Sequence, residues 1–163
     1  MHHLLKTGLF KYNSKKEKGF TLIELLLVIG ILATLLAITL IAINPTKQFQ
    51  AANNTKRRSD VNAILNAVNQ YQADHTGSFP TTIPTTATVI GNGSGQLDIC
   101  SALVTSYIAA LPADPNTNGG APVTNCGTSY NTNYTASMSA SNSRLIISAP
   151  GTEGGISTIS VMR

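Results

Sequence analysis

Glu24 is the residue whose type and position most clearly suggest chemistry in this chain. It stands at the start of an apolar segment in which 25–43 carry no charge. A charge at the centre of a membrane helix costs roughly 2.5–3.5 kcal/mol and usually has a function and a partner. A simpler interpretation places Glu24 in the headgroup region, where a carboxylate at a helix start favours the positive end of the dipole. Composition alone leaves both interpretations open.

Cys100 and Cys126 are the two cysteines of the chain, and both follow the apolar segment. An even count outside a membrane anchor indicates an oxidising compartment and predicts a disulfide. Closing a loop of about 25 residues would stabilise the fold by roughly 3 kcal/mol in the chain-entropy model. Two thiols and His75, the one histidine after the segment, do not make a closed zinc site, so no metal is expected.

The sequence contains no recognisable catalytic constellation. His75 and the scattered aspartates lie near no Ser or Cys in a nucleophile setting, and no glycine-rich phosphate loop follows a predicted strand. We therefore expect a protein that is not an enzyme and that holds no cofactor.

Lys56, Arg57 and Arg58, with Asp60 close behind, form the one basic cluster after the apolar segment. The cluster fits a solvated helix face or a row of contacts between subunits. Binding of DNA or another anionic polymer is the alternative, but three cations without interleaved aromatic residues make a weak electrostatic footprint. Surface or inter-subunit contacts are the favoured interpretation, and nucleic acid is not an expected partner.

The elements that must position these residues begin with a membrane helix over 20–44. About 20 apolar residues span a bilayer core as a helix. Five lysines and Glu17 precede it, so 1–19 carry a net charge of +5 − 1 = +4, which equals the value for the whole chain. The rest of the chain is neutral, so the basic pI of the whole chain comes from the lysines before the membrane helix and reflects membrane topology. Lysines on this side of the helix favour the cytoplasm and place everything after Ile43 outside.

A second helical stretch is predicted over 45–75, directly after the membrane segment. Asn44-Pro45 disfavours α geometry and removes a backbone donor, so we expect a kink at Pro45. Beyond it, apolar residues recur at spacings of three and four, which is typical of an amphipathic helix with one buried stripe. The stripe consists of Val61, Ile64, Leu65, Val68 and Tyr71.

The remaining residues, 76–163, are predicted to form a small globular head. An uncharged stretch over 79–96, rich in Thr, Pro and Gly, indicates an exposed loop. Asp98 is expected to cap a short helix that ends at Leu111-Pro112. Three antiparallel strands are predicted over 129–137, 144–149 and 156–161. The fold class is therefore α+β, with the amphipathic helix packed on the sheet.

The run Lys18-Gly19-Phe20-Thr21-Leu22-Ile23-Glu24 resembles the processing site of type IV pilins and type II secretion pseudopilins. The resemblance implies that 1–19 are a leader peptide, that a prepilin peptidase cuts between Gly19 and Phe20, and that Phe20 becomes N-methylated. It also implies that Glu24 pairs with the terminal amine of a neighbouring subunit. Such an ion pair in low dielectric can set subunit register.

Two later segments also resemble this family. Thr76-Gly77-Ser78-Phe79-Pro80 is similar to the Gly-aromatic-Pro segment that follows the long helix in many members. Leu111-Pro112-Ala113-Asp114-Pro115 resembles the Leu-Pro-x-Asp-Pro segment of the major pseudopilin, where a nearby loop binds calcium. Calcium takes six to eight oxygens, usually with several carboxylates, and after Asp114 this sequence offers Glu153 alone. A structural turn is the expected role.

The resemblance implies a pilin fold and a structural subunit of a helical, homo-oligomeric filament that serves adhesion, motility or DNA uptake. A type II secretion pseudopilin is the alternative within the family. A membrane-anchored extracellular binding protein is the alternative from another class. Implied partners are the prepilin peptidase and methyltransferase, a membrane platform protein and a cytoplasmic assembly ATPase. The implied location is the inner membrane before assembly and an extracellular or periplasmic filament afterwards.

Overall fold

The computed structural model describes residues 19–163, which form two compact units. The first unit ends at Ile43, and the second runs over Asn44–Arg163 and is called the head below. The predicted leader, apart from Gly19, lies outside the described residues.

Helix α1 spans Leu22–Ile43. Its 22 residues correspond to about 33 Å of helix, enough to cross the hydrocarbon core of a bilayer. Among the described helices, α1 is the one with the length and apolar composition of a membrane span. No residue of α1 is buried.

The helix is interrupted at Asn44, and helix α2 spans Pro45–Asp74. Asn44 has φ 48° and ψ 78°, a left-handed conformation that asparagine tolerates better than most residues. Its side-chain oxygen accepts the Lys47 N–H at 3.4 Å, and proline suits the first turn of a helix. The predicted kink at Pro45 is therefore a break of one residue that starts a new helix.

The buried side of α2 faces the sheet of the head. Val61, Ile64, Leu65 and Val68 are buried, as the spacing predicts, and Tyr71 packs against them from a partly exposed position. The stripe contacts strands β3 (Leu145–Ala149) and β4 (Ile159–Met162). The helix ends at Asp74, and the left-handed Gly77 N–H bonds the Gln72 carbonyl at 2.8 Å.

The sheet has four antiparallel strands in the order β1-β2-β3-β4. Strand β1 spans Thr88–Gly91 and strand β2 spans Asn131–Met138. The strand alternation of β3 and β2 sends Tyr134, Ala136, Leu145 and Ile147 into the core. The α+β fold class with an antiparallel sheet is confirmed.

Strand β1 corrects the prediction of a loop over 79–96. Thr88 pairs with Ala136 and Val89 with Thr135, while Ile90 is fully buried. The strand is short and depends on β2, which lies some 45 residues later. Local composition could not reveal that pairing.

The short helix α3 spans only Cys100–Leu103, so the predicted extension to Leu111 is wrong. The chain leaves the helix at Val104 and passes through Thr105 with φ 73°. Asp98 nevertheless acts near the helix start, because its Oδ1 accepts the Cys100 N–H at 3.1 Å. Leu103 and Val104 are buried by the tertiary fold without further helix.

The last predicted strand is shorter than expected. Residues 156–158 lie outside β4, which begins at Ile159. Gly154 and Gly155, both at positive φ, turn the chain just before these residues.

Candidate functional site: the amino-terminal segment and the charge cluster of the head

Gly19 and Phe20 precede α1 and are exposed. Within residues 19–163, no atom beyond the flanking residue lies within 4 Å of a Cβ built at Gly19. The Phe20 side chain is 91% exposed. The peptide bond between them is therefore open to approach by a protease.

Thr21 and Glu24 form a reciprocal cap at the start of α1. Glu24 Oε2 accepts both the Thr21 N–H and the Thr21 hydroxyl at 2.8 Å, and the Glu24 N–H donates to Thr21 Oγ1 at 3.3 Å. This is a capping box, which satisfies backbone donors that a helix start leaves unpaired. Both Thr21 bonds use one carboxylate oxygen, and no donor in the described chain bonds Oε1.

The polar groups within α1 are satisfied internally. Thr34 Oγ1 donates to the Ile31 carbonyl at 2.8 Å and Thr39 Oγ1 to the Leu36 carbonyl at 2.9 Å. The remaining surface of the helix is aliphatic and exposed on all sides. Such a helix requires lipid or other apolar helices around it.

The head contains a charge cluster of Arg57, Asp114 and Glu153, in which the Glu153 side chain is 25% exposed. Arg57 Nε and Nη2 donate to the two oxygens of Asp114 at 2.7 and 3.0 Å, and both side chains are fully buried. Arg57 Nη1 donates to Glu153 Oε2 at 3.1 Å and to Asn54 Oδ1 at 3.0 Å. Hydrogen bonding to Asp114 raises the pKa of Arg57 above its usual value.

Glu153 ties the loop between β3 and β4 to α2. Its carboxylate also accepts from Asn53 Nδ2 at 2.9 Å and from Asn116 Nδ2 at 3.0 Å. Its backbone exchanges two hydrogen bonds with the Asn54 side chain. The bonds from Asn116, Asn53 and Arg57 lower the pKa of Glu153 to about 2.

Asp60 forms a second anchor one turn along α2. Its Oδ2 accepts from Lys56 Nζ at 2.9 Å and from the Tyr134 hydroxyl at 2.7 Å. Burial, with help from Asp60, raises the pKa of Tyr134. Lys56 also donates to the Ala113 carbonyl at 2.9 Å.

These contacts correct the prediction of surface or inter-subunit contacts for Lys56, Arg57 and Arg58 at one position, Arg57. Arg58 is exposed, but Arg57 is fully buried and Lys56 is partly engaged within the head. A signal was present in the sequence, because Arg57 lies four residues before Val61 and seven before Ile64. That spacing places Arg57 on the buried stripe.

Asp114 in the Leu-Pro-x-Asp-Pro segment is occupied by protein donors. Both of its oxygens bond Arg57, and Oδ1 also accepts the Asn116 N–H at 2.9 Å. Asp114 therefore stabilises a turn in this head, which is the role expected from sequence. Within 19–163, no three His, Cys, Asp or Glu side chains form a group suited to a metal ion.

The predicted disulfide joins Cys100 to Cys126, with the Cα atoms 5.5 Å apart. It fixes the partly exposed loop around Cys126 to the buried end of α3. Tyr130 reinforces the same region by donating its hydroxyl to Asp98 Oδ1 at 2.7 Å, and burial together with this bond raises the pKa of Tyr130.

Comparisons with known proteins agree with the resemblance of the processing site. Residues 14–40 match the family model described as the prokaryotic N-terminal methylation motif. The chain is 31% identical over 101 residues to the type II secretion system core protein G of Aeromonas hydrophila, covering 62% of this chain and 68% of that protein.

Two further relatives extend the comparison. The type II secretion system core protein G of Escherichia coli is 31% identical over 109 residues, which cover 61% of this chain and 67% of that protein. The ComG operon protein 3 homolog of Bacillus licheniformis is 39% identical over 64 residues, which cover 39% of this chain and 64% of that protein. No solved structure matches the chain significantly.

Proposed function

Because this chain belongs to the family of type IV pilins and type II secretion pseudopilins, we propose that it is the structural subunit of a pilus-like filament. The observation that carries the proposal is helix α1, whose large aliphatic side chains are all exposed in the isolated chain. Burying such a surface against identical helices is favourable and keeps the interior of a fibre dry.

Processing at Gly19 and Phe20 creates the assembly-competent chain in this proposal. A prepilin peptidase cuts the exposed bond between the two residues and methylates the new amine of Phe20. The open surroundings of Gly19 support this assignment.

Glu24 selects the geometry of assembly. Thr21 bonds Oε2, which leaves Oε1 to accept from the Phe20 amine of an adjacent subunit in this proposal. An ion pair in low dielectric is strong only at close range, and its best-attested use is to fix register.

The proposed partners follow from the same route. The subunit is inserted in the inner membrane with its head outside, and a platform protein and a cytoplasmic ATPase then drive extraction into an extracellular or periplasmic filament. The relatives named for type II secretion support assembly with secretion machinery.

We propose a mechanical role and no catalysis. The titratable side chains that the head brings together, Arg57, Asp114 and Glu153, hold loops in place. The paired bonds between Arg57 and Asp114 account for the burial of these two side chains.

Electron microscopy of the native assembly tests this function. Gold-labelled antibody against the head is expected to decorate long fibres from cells with the prepilin peptidase and to decorate none from peptidase-deficient cells. Antibody signal that stays in the membrane in both strains would contradict the proposal and favour a membrane-anchored binding protein.

A type II secretion pseudopilin is the second candidate, favoured by the printed names of two relatives. Deleting this chain would then block export of folded proteins and leave surface fibres intact. Loss of fibres with normal export would favour the pilus.

A further inference from the structure

The first two turns of α2 form an uncovered stretch of helix between the membrane segment and the packed part of the head. We call this stretch, Pro45–Ala52, the neck. Its residues are exposed except for the partly buried Gln50. Further along α2, Asn53 is partly buried and Asn54 is buried. The lysine, glutamine and threonine side chains of the neck are polar and favour contact with water. Phe49 is apolar, yet it is 71% exposed. Covering the Phe49 side chain with an apolar partner would be favourable, because apolar surface would be removed from water.

The opposite side of the neck carries an open recess of about 280 Å³. Ala51, Gly154 and Ile156 supply its small and apolar surfaces, and Ile156 is 41% exposed. Lys47, Gln50, Asn54 and Glu153 supply its polar lining. At 3.6 residues per turn, Phe49 points roughly 150° away from the mean direction of Lys47, Gln50, Ala51 and Asn54.

Glu153 of the charge cluster lines this recess together with Gly154 and Ile156. Glu153 is held by Asn53, Arg57 and Asn116, and its carbonyl accepts Asn54 Nδ2 at 2.9 Å. Gly154 follows with φ 69°, and a Cβ there would lie 3.2 Å from Gln50 Oε1. A glycine therefore allows the loop to approach α2 closely, and the ion pairs keep the recess formed before any partner arrives.

A knob and a recess on opposite sides of one neck make the surface self-complementary in a head-to-tail sense. Such a heterologous contact gives a ring if its rotation closes and an open helical filament if it does not, and the proposed function requires the filament. We propose that Phe49 of one subunit inserts into the recess between the neck and the β3–β4 loop of the next subunit. Lys47 at the rim can place its ammonium over the inserted ring.

This inference rests on the proposed function and adds a specific contact to it. Phe49 follows the last residue of α1 by six positions, so the contact uses the part of α2 that adjoins the membrane helix in sequence. The occupant is a second copy of this chain, because the knob and the recess are both present on every subunit.

Photocrosslinking of the full chain in assembled filaments tests the contact. Phe49 is replaced by p-benzoylphenylalanine, which preserves an aromatic ring, and sheared filaments are irradiated. Covalent dimers are expected, with the crosslink mapped by mass spectrometry to peptides containing 47–54 or 153–156 of the second copy. The same replacement at Gln70, which is exposed further along α2, provides the matched control and should not label those peptides.

Side-chain substitutions provide an independent measure. Phe49→Ala is expected to lower subunit association about tenfold or more, since it removes the aromatic side chain that the proposed contact would bury. Ala51→Trp fills the recess and should reduce filament yield similarly, whereas Gln48→Trp on the same turn should leave it unchanged. All three variants should keep the melting temperature of the head, because these positions are exposed.

The outcomes separate this inference from the proposed function. Filaments that contain the chain but crosslink at position 49 to lipid, to other peptides or to nothing would overturn the contact and leave the filament role intact. Absence of the chain from every filament would overturn the proposed function itself.

Discussion

A buried guanidinium persists in a protein only where nearly all of its donors are satisfied, and Arg57 meets that requirement with two carboxylates and an amide. Its paired bonds to Asp114 have the planar geometry that distinguishes arginine from lysine. The cluster joins three parts of the head that are distant in sequence: α2, the turn after Leu111 and the β3–β4 loop. The cluster therefore specifies how these three parts of the head are arranged.

Replacing Arg57 by alanine is expected to destabilise the head by about 3–5 kcal/mol, because Asp114 would remain buried without its partner. Arg58→Ala is the matched control and should change stability by less than about 0.5 kcal/mol, since Arg58 is exposed. Thermal unfolding of the full chain in detergent, followed by near-ultraviolet circular dichroism of the tyrosines, measures both. Equal melting temperatures for the two variants would disprove the importance of the cluster.

Acid is expected to loosen the β3–β4 loop through Glu153. The pKa of Glu153 is about 2 in the folded chain against an ordinary value of 4.5. A lowered pKa contributes stability that is complete above about 4.5 and is lost as the pH falls through about 2. Wild type should therefore lose more stability than Glu153→Gln between pH 5 and about 2. Parallel melting curves across that range would refute the assignment.

At the scale of elements, local sequence periodicity predicts those helices whose formation depends on neighbouring residues. The stripe on α2 follows from spacings of three and four, and the membrane helix follows from an unbroken apolar run. Strand β1 and the early end of α3 depend on partners far along the chain. Val89 pairs with Thr135, and beyond α3 the chain is irregular, with Val104 and Leu111 buried by the tertiary fold.

The same distinction explains the charge cluster. The spacing of Arg57 from Val61, which can be read from the sequence, places the arginine on the buried side of α2. Its pairing with Asp114 and Glu153 depends on loops 57 and 96 residues away. A basic run viewed without its helical direction therefore resembles a solvated surface.

The disulfide is expected to act on the loop around Cys126. Replacing Cys100 and Cys126 together by serine should lower the free energy of unfolding by roughly 3 kcal/mol, because an unconstrained unfolded chain gains entropy. Denaturant unfolding of the purified chain measures the loss, and wild type with a reducing agent should reproduce it. A stability unchanged by both treatments would show that the loop is held by Tyr130 and its neighbours instead.

At the scale of the whole molecule, the two units have different roles, because the head is stabilised by its own contacts and helix α1 is available for assembly. The head has its own core, its own disulfide and its own ion pairs. Helix α1 has no covered residue and must find its cover in lipid or in other subunits. Stability and assembly are therefore expected to respond to different substitutions.

Glu24→Ala is expected to reduce filament yield strongly while leaving the melting temperature of the head unchanged. The head contains none of the contacts of Glu24, which are all with Thr21 among the described residues. Filament mass per cell and thermal unfolding of the purified chain give the two readouts. Inserted and processed Glu24→Ala subunits that assemble at normal yield would remove Glu24 from the assembly mechanism.

The most direct test of the filament account is mass spectrometry of the native protein sheared from cells. The account predicts a chain that begins at a methylated Phe20, recovered from long fibres, with Cys100 and Cys126 joined and the mass two hydrogens below that of the dithiol. A chain that retains its first 19 residues and occurs in membranes alone would contradict it.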